Sequence, residues 1–401
     1  MKIAIVSDLH LGYERFAEDA IDQAREALFK AYELADAVII PGDVFDKRAP
    51  KPEVIAQAIN LFRELSKMPW KSSVVSSVGD RGRFTSVPII AISGTHERTA
   101  MGKDNALNLL GLAGLIVDTS ESTTIIEKGD EKVAVFGLGG LSEERVKEQL
   151  LIMNPKPISG AFNIFMLHQS IYEILPFNES FIRFDDLPKG FDLYVDGHIH
   201  SMVEDKVHGM PFIIPGSTVL TQLKEGEQEP KGFVIFDTKA RAYEFIKIKC
   251  RRMVFREIFF DDASPKALKD AIKLEIDQII SENKEMPIIK LRLIGKIAAG
   301  FSSIDMPIRP IISEYSNQCI LDIDSSKLTS EEQDRQIDDI RAAHQGGNSI
   351  KEQGEIVLGQ KLAEQGFDRK IDAFELFNIL SSQGKKDSII ERAISILNSN
   401  N

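Results

Sequence analysis

Five of the seven histidines in this chain fall within four short motifs. They are Asp8-Leu9-His10, Gly42-Asp43-Val44-Phe45-Asp46, Gly94-Thr95-His96-Glu97 with His168 downstream, and Gly197-His198-Ile199-His200. Carboxylate oxygens and imidazole nitrogens without thiolates form a donor set for Mn, Fe or Zn rather than for a soft metal or an iron–sulfur cluster. The ligands suffice for two ions that share one carboxylate. Two such ions, roughly 3.5–4 Å apart, can clamp a phosphate's oxygens during in-line displacement, so the chemistry suggested is phosphoester hydrolysis. Taken singly, each motif is ordinary. A histidine at a strand end is commonly a hydrogen-bonded loop residue, and Gly-Asp is a common turn. Four motifs in order, each just beyond a strand, argue for one shared site.

Those positions depend on the elements before them. Residues 2–7 are a short apolar run that reads as a buried strand ending at Asp8. Helical periodicity covers 15–35, a strand follows at 37–40, and a second amphipathic helix covers 53–66. Residues 71–86 are rich in Ser, Gly and Arg and read as an exposed loop before a strand at 88–92. Strands alternating with helices indicate an α/β layered fold. Beyond about residue 115 the strands crowd together, at 123–127, 133–138, 162–168, 192–196, 211–215, 232–237 and 243–248. A β-rich half following an α/β half predicts two packed sheets around one core. In open α/β sheets, sites form beyond the carboxyl ends of the strands, where the four motifs can converge.

A separate α+β module is expected from about 252, with strand-like 253–260, helical 265–282, and strand-like 287–295 and 318–323. Residues 326–370 are polar and charged and read as a linker. Two amphipathic segments, 371–381 and 387–398, close the chain. The 401 residues imply two or three domains, and 43% apolar residues suffice for a sizeable core. A net charge of 49 − 61 = −12 excludes nucleic-acid binding by bulk charge, so any such contact needs a local basic patch or metal ions. No apolar run is long enough to span a membrane, and no signal peptide is visible. Cys250 and Cys319 make neither a disulfide framework nor a zinc motif and read as buried thiols. These features predict a reduced, intracellular protein. His208, in a turn, and His344, in the linker, are expected to be structural or solvated.

The ordered set DLH, GDVFD, GTHE, LHQS and GHIH resembles the calcineurin-like metallophosphoesterases. More narrowly, it resembles the archaeal type of the meiotic-recombination-eleven, SbcD-like nucleases of double-strand-break repair. The SDLHLG start, the LLGLAGLI segment, Ile214-Pro215-Gly216-Ser217 and Lys231-Gly232 add to the likeness. It covers roughly residues 1–250. The resemblance implies a four-layer α/β/β/α sandwich over 1–250, an α+β capping domain for DNA over 251–325, a linker over 326–370, and a helical ATPase-docking segment over 371–401. It implies that Asp8, His10 and His200 hold a first divalent ion, Mn foremost. Asp43 would bridge, and His168 and His198 would hold a second ion. Thr95 stands where the family places an Asn ligand, and its shorter side chain puts that bond in doubt. By the same resemblance, His96 would act on the transition state or the leaving oxygen. Asp46 would pair with His96, fix its tautomer and raise its pKa. Otherwise Asp46 would cap the next helix or pair with Lys47 or Arg48.

Lys47, Arg48, Lys51, Arg81, Arg83, Arg98 and Lys103 lie in loops near the motifs and could meet DNA phosphates, though each alone could equally be ordinary solvated surface. The apolar stripes at the end of the chain, Phe374, Phe377 and Leu380, then Ile390, Ile394 and Leu397, are too short to build a core of their own. They must dock on the chain itself or on a partner. The resemblance implies that this partner is the coiled-coil base of an SMC-like, SbcC-type ATPase. It also implies a homodimer, DNA ends as substrate, and a cytoplasmic, nucleoid-associated setting. The expected activity is exonuclease on duplex ends and endonuclease on single strands. The alternatives are a phosphoesterase for a small phosphoester or a phosphoprotein, and a non-catalytic DNA-end scaffold.

Overall fold

The computed structural model describes residues 1–78, 85–99, 104–223, 225–283, 285–302, 305–330, 358–359, 376–377 and 379. The chain divides into two units. The first takes Met1–Phe255, Ile279–Lys290 and Gln318–Ile320, and the second takes Arg256–Gln278, Leu291–Asn317 and Leu321–Asn401.

The first unit runs β1 (Lys2–Ile5), α1 (Ala17–Leu34), β2 (Ala37–Pro41), α2 (Pro52–Ser66), β3 (Ser73–Val78), β4 (Ile89–Ile92) and α3 (Ala106–Leu112). It continues through β5 (Val117–Asp118), β6 (Thr123–Lys128), β7 (Glu131–Leu138), α4 (Glu143–Met153), β8 (Phe162–Leu167) and β9 (Leu193–Asp196). Then come β10 (Val203–Val207), β11 (Met210–Ile214), β12 (Gly232–Asp237) and β13 (Ala242–Lys247). One sheet has the order β13-β12-β1-β2-β4-β5, and the other β10-β11-β9-β8-β7-β6-β3. β1, β2, β4 and β5 are parallel, while β12 runs antiparallel to β1 with Lys2 opposite Asp237. In the second sheet β7, β8, β9 and β11 are parallel.

Side chains alternate along a strand, so each central strand serves two cores. Ile3, Ile5, Ile39, Ile90 and Ile92 meet Val133, Val135, Ile164, Met166 and Val195 between the sheets. Ala4, Val38, Ile40 and Ala91 cluster instead with Ala24, Leu28 and Ala31 of α1 and with Ala58, Phe62 and Leu65 of α2. On the far side, Phe165, Leu167, Tyr194 and Phe212 cluster with Val146 and Leu150 of α4. The layers are α/β/β/α, as the resemblance implied. Small residues on the buried face of α1 let it lie close to its sheet.

The second unit holds most of a three-stranded sheet, ordered β14-β15-β16, together with α5 and α6. These are β14 (Met253–Ala263), α5 (Pro265–Ser281), β15 (Ile288–Ile297), α6 (Ile308–Tyr315) and β16 (Ile320–Thr329). Within it Leu268, Ile272 and Ile276 are buried on α5, and the Tyr315 hydroxyl donates to Asp277 Oδ1 at 2.7 Å.

Several expectations change. Residues 73–78, read as part of a loop, form β3 at a sheet edge, with Ser73 opposite Glu127 and a register shift between Val74 and Ser76. An edge strand tolerates serines because one side of it is not packed. α3, α4, α6 and β10 were not foreseen. α3 starts from Asn105, whose side chain accepts from the Asn108 N–H in a reciprocal cap. α4 buries only Val146 and Leu150 and leaves Leu151 81% exposed, so its apolar stripe is hard to see. β16 runs to Thr329, into the start of the segment read as a linker. No described helix is long and apolar enough to cross a membrane. Cys319 is buried as expected, and Cys250 is half-buried. His208 bonds the Leu187 carbonyl at 2.9 Å, a structural role, whereas His344 lies outside the described residues.

Candidate metal centre

Both sheets deliver side chains to the same crevice. Asp8 and His10 follow β1, Asp43 and Asp46 follow β2, and Thr95 and His96 follow β4. From the second sheet, His168 follows β8, and His198 and His200 follow β9. Asp8, His10, Asp43 and His198 all adopt left-handed backbone, with φ of 52, 44, 50 and 69°. Each such residue costs roughly 1–2 kcal/mol and persists only where its surroundings overdetermine it, as they commonly do at functional sites.

Asp8 Oδ1 lies 3.9 Å from His10 Nε2 and 3.8 Å from His200 Nε2, and the two imidazole nitrogens are 3.1 Å apart. Asp8, His10 and His200 form one compact donor group, and Asp8, Asp43 and His168 form another. His168 Nε2 is 3.3 Å from Asp43 Oδ2. Asp8 Oδ1 and His168 Nε2 are fully buried without a hydrogen-bond partner. A buried carboxylate oxygen left unpaired, as Asp8 Oδ1 is, is costly unless something positive meets it. The donor set therefore fits divalent cations, with Asp8 common to both groups.

Neighbours orient the rings. His168 Nδ1 bonds the Pro41 carbonyl at 2.8 Å, and His200 Nδ1 pairs with the Thr221 hydroxyl, which leaves Nε2 of both rings for the site. His198 is held differently, with Nε2 3.1 Å from the Ser170 hydroxyl and Nδ1 3.5 Å from Thr95 Oγ1. It joins neither donor group, although its ring stands edge-on to His168 with centroids 5.3 Å apart. Asp43 Oδ1 accepts the His96 N–H at 2.9 Å. A Cβ on Gly94 would fall 2.1 Å from that same oxygen, and one on Gly42 (φ +95°) 2.2 Å from His168 Nδ1. Only glycine lets these backbones approach so closely.

Burial and charge set the protonation. Burial, with Asp43 nearby, pushes Asp8 up to about 6. Burial opposes ionisation of Asp43, but His168 outweighs it and holds the carboxyl below its usual range. Burial also opposes the charge on His168, yet Asp43 raises it to about 10. His198 falls to about 4 through burial and the neighbouring His168, and His200 to about 2 through burial, His10 and Lys231. His10 is raised, since Asp46, Asp8 and Asp43 overcome its burial.

The partner of Asp46 differs from expectation. Its carboxylate sits 3.3 Å from His10 Nδ1, close enough for an ion pair though not aligned as a hydrogen bond. It is the Asp46 backbone carbonyl that meets His96 Nδ1, at 2.5 Å. His10, Asp46 and His96 form a third donor group. Asp46 does not cap α2 either, because that position belongs to Lys51. Among the basic residues, Arg98 is not free surface, since its guanidinium donates to the Leu141 carbonyl at 2.6 Å. Lys47 and Lys51 both pair with Glu14, and Arg48 is exposed. Arg81, Arg83 and Lys103 lie outside the described residues, as do Phe374, Leu380, Ile390, Ile394 and Leu397. Phe377 is helical and half-buried.

Three supporting residues carried no separate signal in the sequence. Glu97 is fully buried and accepts the Phe45 and Gly94 N–H groups at 2.9 and 2.8 Å. Burial, with Asp43 nearby, pushes its carboxyl up to about 8. Asp196, also buried, accepts the Gln169 N–H beside His168 at 3.0 Å. Lys231 reaches the His200 carbonyl at 2.9 Å. Glu97 stands inside a motif already singled out and Lys231 in the Lys231-Gly232 pair, so only their burial was hidden, while Asp196 directly precedes the Gly197-His198-Ile199-His200 motif.

The chain is similar in sequence to several known proteins. The double-strand break repair protein MRE11 of Arabidopsis thaliana is 28% identical over 79% of this chain and 50% of its own length. That of Homo sapiens is 27% identical over 65% of this chain and 42% of its own. The chain thus spans about half the length of the curated relatives it matches. The crystal structure of a Thermus thermophilus protein, TT1561, is 16% identical, covers 62% of this chain and 99% of its own, and has a TM-score of 0.35. The family model for calcineurin-like phosphoesterases matches residues 1–202. On that match, which spans half the chain and ends just past the last of the clustered histidines, the chain belongs to the calcineurin-like phosphoesterase family.

Proposed function

We propose that this chain is a metal-dependent DNA nuclease of double-strand-break repair. It acts as an exonuclease on duplex ends and an endonuclease on single strands, with two divalent ions, Mn foremost. The observation that carries the reading is the buried, unpartnered Asp8 Oδ1, 3.9 and 3.8 Å from His10 and His200 of opposite sheets. The family acts on phosphoesters, and the relatives named above are double-strand break repair proteins.

In this reading Asp8, His10 and His200 would hold the first ion, His168 and His198 the second, and Asp43 would serve both. Thr95 is the weak donor of the second position. Divalent ions at such a centre neutralise charge on the phosphate oxygens and lower the pKa of the attacking water. The chain's own groups do the rest. The Pro41 carbonyl and the Thr221 hydroxyl fix the His168 and His200 rings. His96 is exposed, with Nδ1 tied to the Asp46 carbonyl, so Nε2 is the atom that can meet the substrate. There it bonds a phosphate oxygen or passes a proton to the leaving oxygen. The second unit supplies the capping surface for DNA, and residues 371–401 the docking segment for an SMC-like ATPase. The chain works as a homodimer in the cytoplasm, associated with the nucleoid.

The test is cleavage of linear duplex and single-stranded DNA with Mn against Mg, beside a small chromogenic phosphodiester. Mn-dependent DNA cleavage lost in Asp8→Ala is the expected result. Turnover of the chromogenic ester with no cleavage of either DNA would favour a small-substrate phosphoesterase. DNA binding without any hydrolysis would favour a scaffold.

A further inference from the structure

Lys231 is 4% exposed, an unusual place for an ammonium group. A buried lysine is tolerated only where its donors are used. Here Nζ donates to the His200 carbonyl at 2.9 Å and to the Ser217 hydroxyl at 3.0 Å. Ser217 in turn donates its hydroxyl to the Val219 carbonyl at 2.7 Å and its N–H to the His200 carbonyl at 3.2 Å. Ser217 also bridges to Ser7, and the Thr218 N–H reaches the Asp8 carbonyl at 3.4 Å. Segment 217–221 therefore lies between the backbones of Asp8 and His200, which come from different sheets. Lys231 is the charged pin of that join. Two residues before His200, His198 holds a left-handed backbone, so this loop needs an external anchor to keep its shape.

We propose that Lys231 is a positioning residue of the first metal site, holding the His200 backbone so that its imidazole meets Asp8 and His10 from the opposite sheet. It touches neither metal nor substrate. Outer groups that orient ligands typically contribute roughly 10–100-fold to metal affinity. Beside the ammonium is a cavity of about 350 Å³, also lined by Met202, Pro215 and Phe245, which leaves room for a bulkier cation.

The inference rests on the first metal site proposed above. The test is calorimetric titration of the metal-free full chain with Mn, together with its melting temperature without metal. Lys231→Met and Lys231→Gln should bind Mn at least tenfold more weakly while still melting cooperatively. Lys231→Arg should regain most of the affinity, because a guanidinium restores donors to the same carbonyl. Either uncharged variant binding Mn as the wild type does would overturn the proposal. Failure of both to fold would assign Lys231 to the core and overturn it as well. Wild-type chain that binds no Mn would instead overturn the metal site itself.

Discussion

Gly94→Ala is the sharpest test of how the Asp43 carboxylate is held. The φ of Gly94 lies outside the left-handed region, so alanine is conformationally acceptable and only space is at issue. The added Cβ would sit 2.1 Å from Asp43 Oδ1 and 2.3 Å from Asp43 N, where ordinary contact begins at 3.4 Å. Asp43 must therefore retreat by about 3.4 − 2.1, or roughly 1.3 Å, and lose the His96 N–H that now bonds it at 2.9 Å. A displacement of about 1 Å at reacting groups can cost roughly 10²-fold in rate. Overpacking of this kind costs about 1–3 kcal/mol, which a sandwich of this size survives. We expect Mn-dependent phosphodiester cleavage to fall about a hundredfold or more, with weaker Mn binding and a modestly lower melting temperature. Gly129→Ala is the control. Its φ is +57° with nothing within 4 Å, so it should cost about 1–2 kcal/mol of stability and leave cleavage untouched. Cleavage by Gly94→Ala within threefold of wild type would refute the reasoning, since Asp43 would then have room the structure denies it.

Four further outcomes are expected. His96→Ala should lower kcat by roughly 10²–10⁴-fold with Mn content unchanged; metal lost along with activity would make His96 a ligand. Thr95→Asn should raise activity at limiting Mn by supplying a longer oxygen donor, and an unchanged Mn dependence would show that Thr95 never limited the site. Mn affinity should rise with pH, because His168, raised to about 10, and His10, also raised, carry protons that an entering cation must displace. Titration in two buffers of different ionisation heat reads that release, and affinity flat between about pH 6 and 8 would contradict it. Deleting residues 366–401 should leave DNA cleavage intact and abolish capture of the ATPase. Phe377→Glu and Ile394→Glu should each mimic the deletion, because burying an unpaired charge costs several kcal/mol. Normal capture by both charge variants, with a lower melting temperature, would mean that the two apolar segments dock on their own chain.

The centre was legible because its residue types are rare and its strands are buried on both faces. β1, β2 and β4 read as continuous apolar runs, and each is followed within a few residues by a side chain of the site. What stayed hidden depends on direction and depth. Asp46 was visible in its motif, but its carboxylate turns to His10 and its carbonyl to His96, after a left-handed step at Asp43 that sequence does not reveal. Arg98 read as a surface cation and instead ties down the Leu141 carbonyl. β3 was obscured by its serines. α4 was obscured by Leu151 and Ile152, which face outward and blur its periodicity.

The strand order also sets when the framework around Asp8 and His10 can be completed. β1 has β12 on one side, and Lys231 directly precedes β12. Asp8 and His10 therefore leave the ribosome more than two hundred residues before their framework is complete. At roughly 5–20 residues per second, that is a delay on the order of 10–50 s. Throughout that time β1 lacks its second neighbour, and His200 for most of it does not yet exist. It follows that Asp8 and His10 of a nascent chain lack their finished framework until residues 232–237 are made.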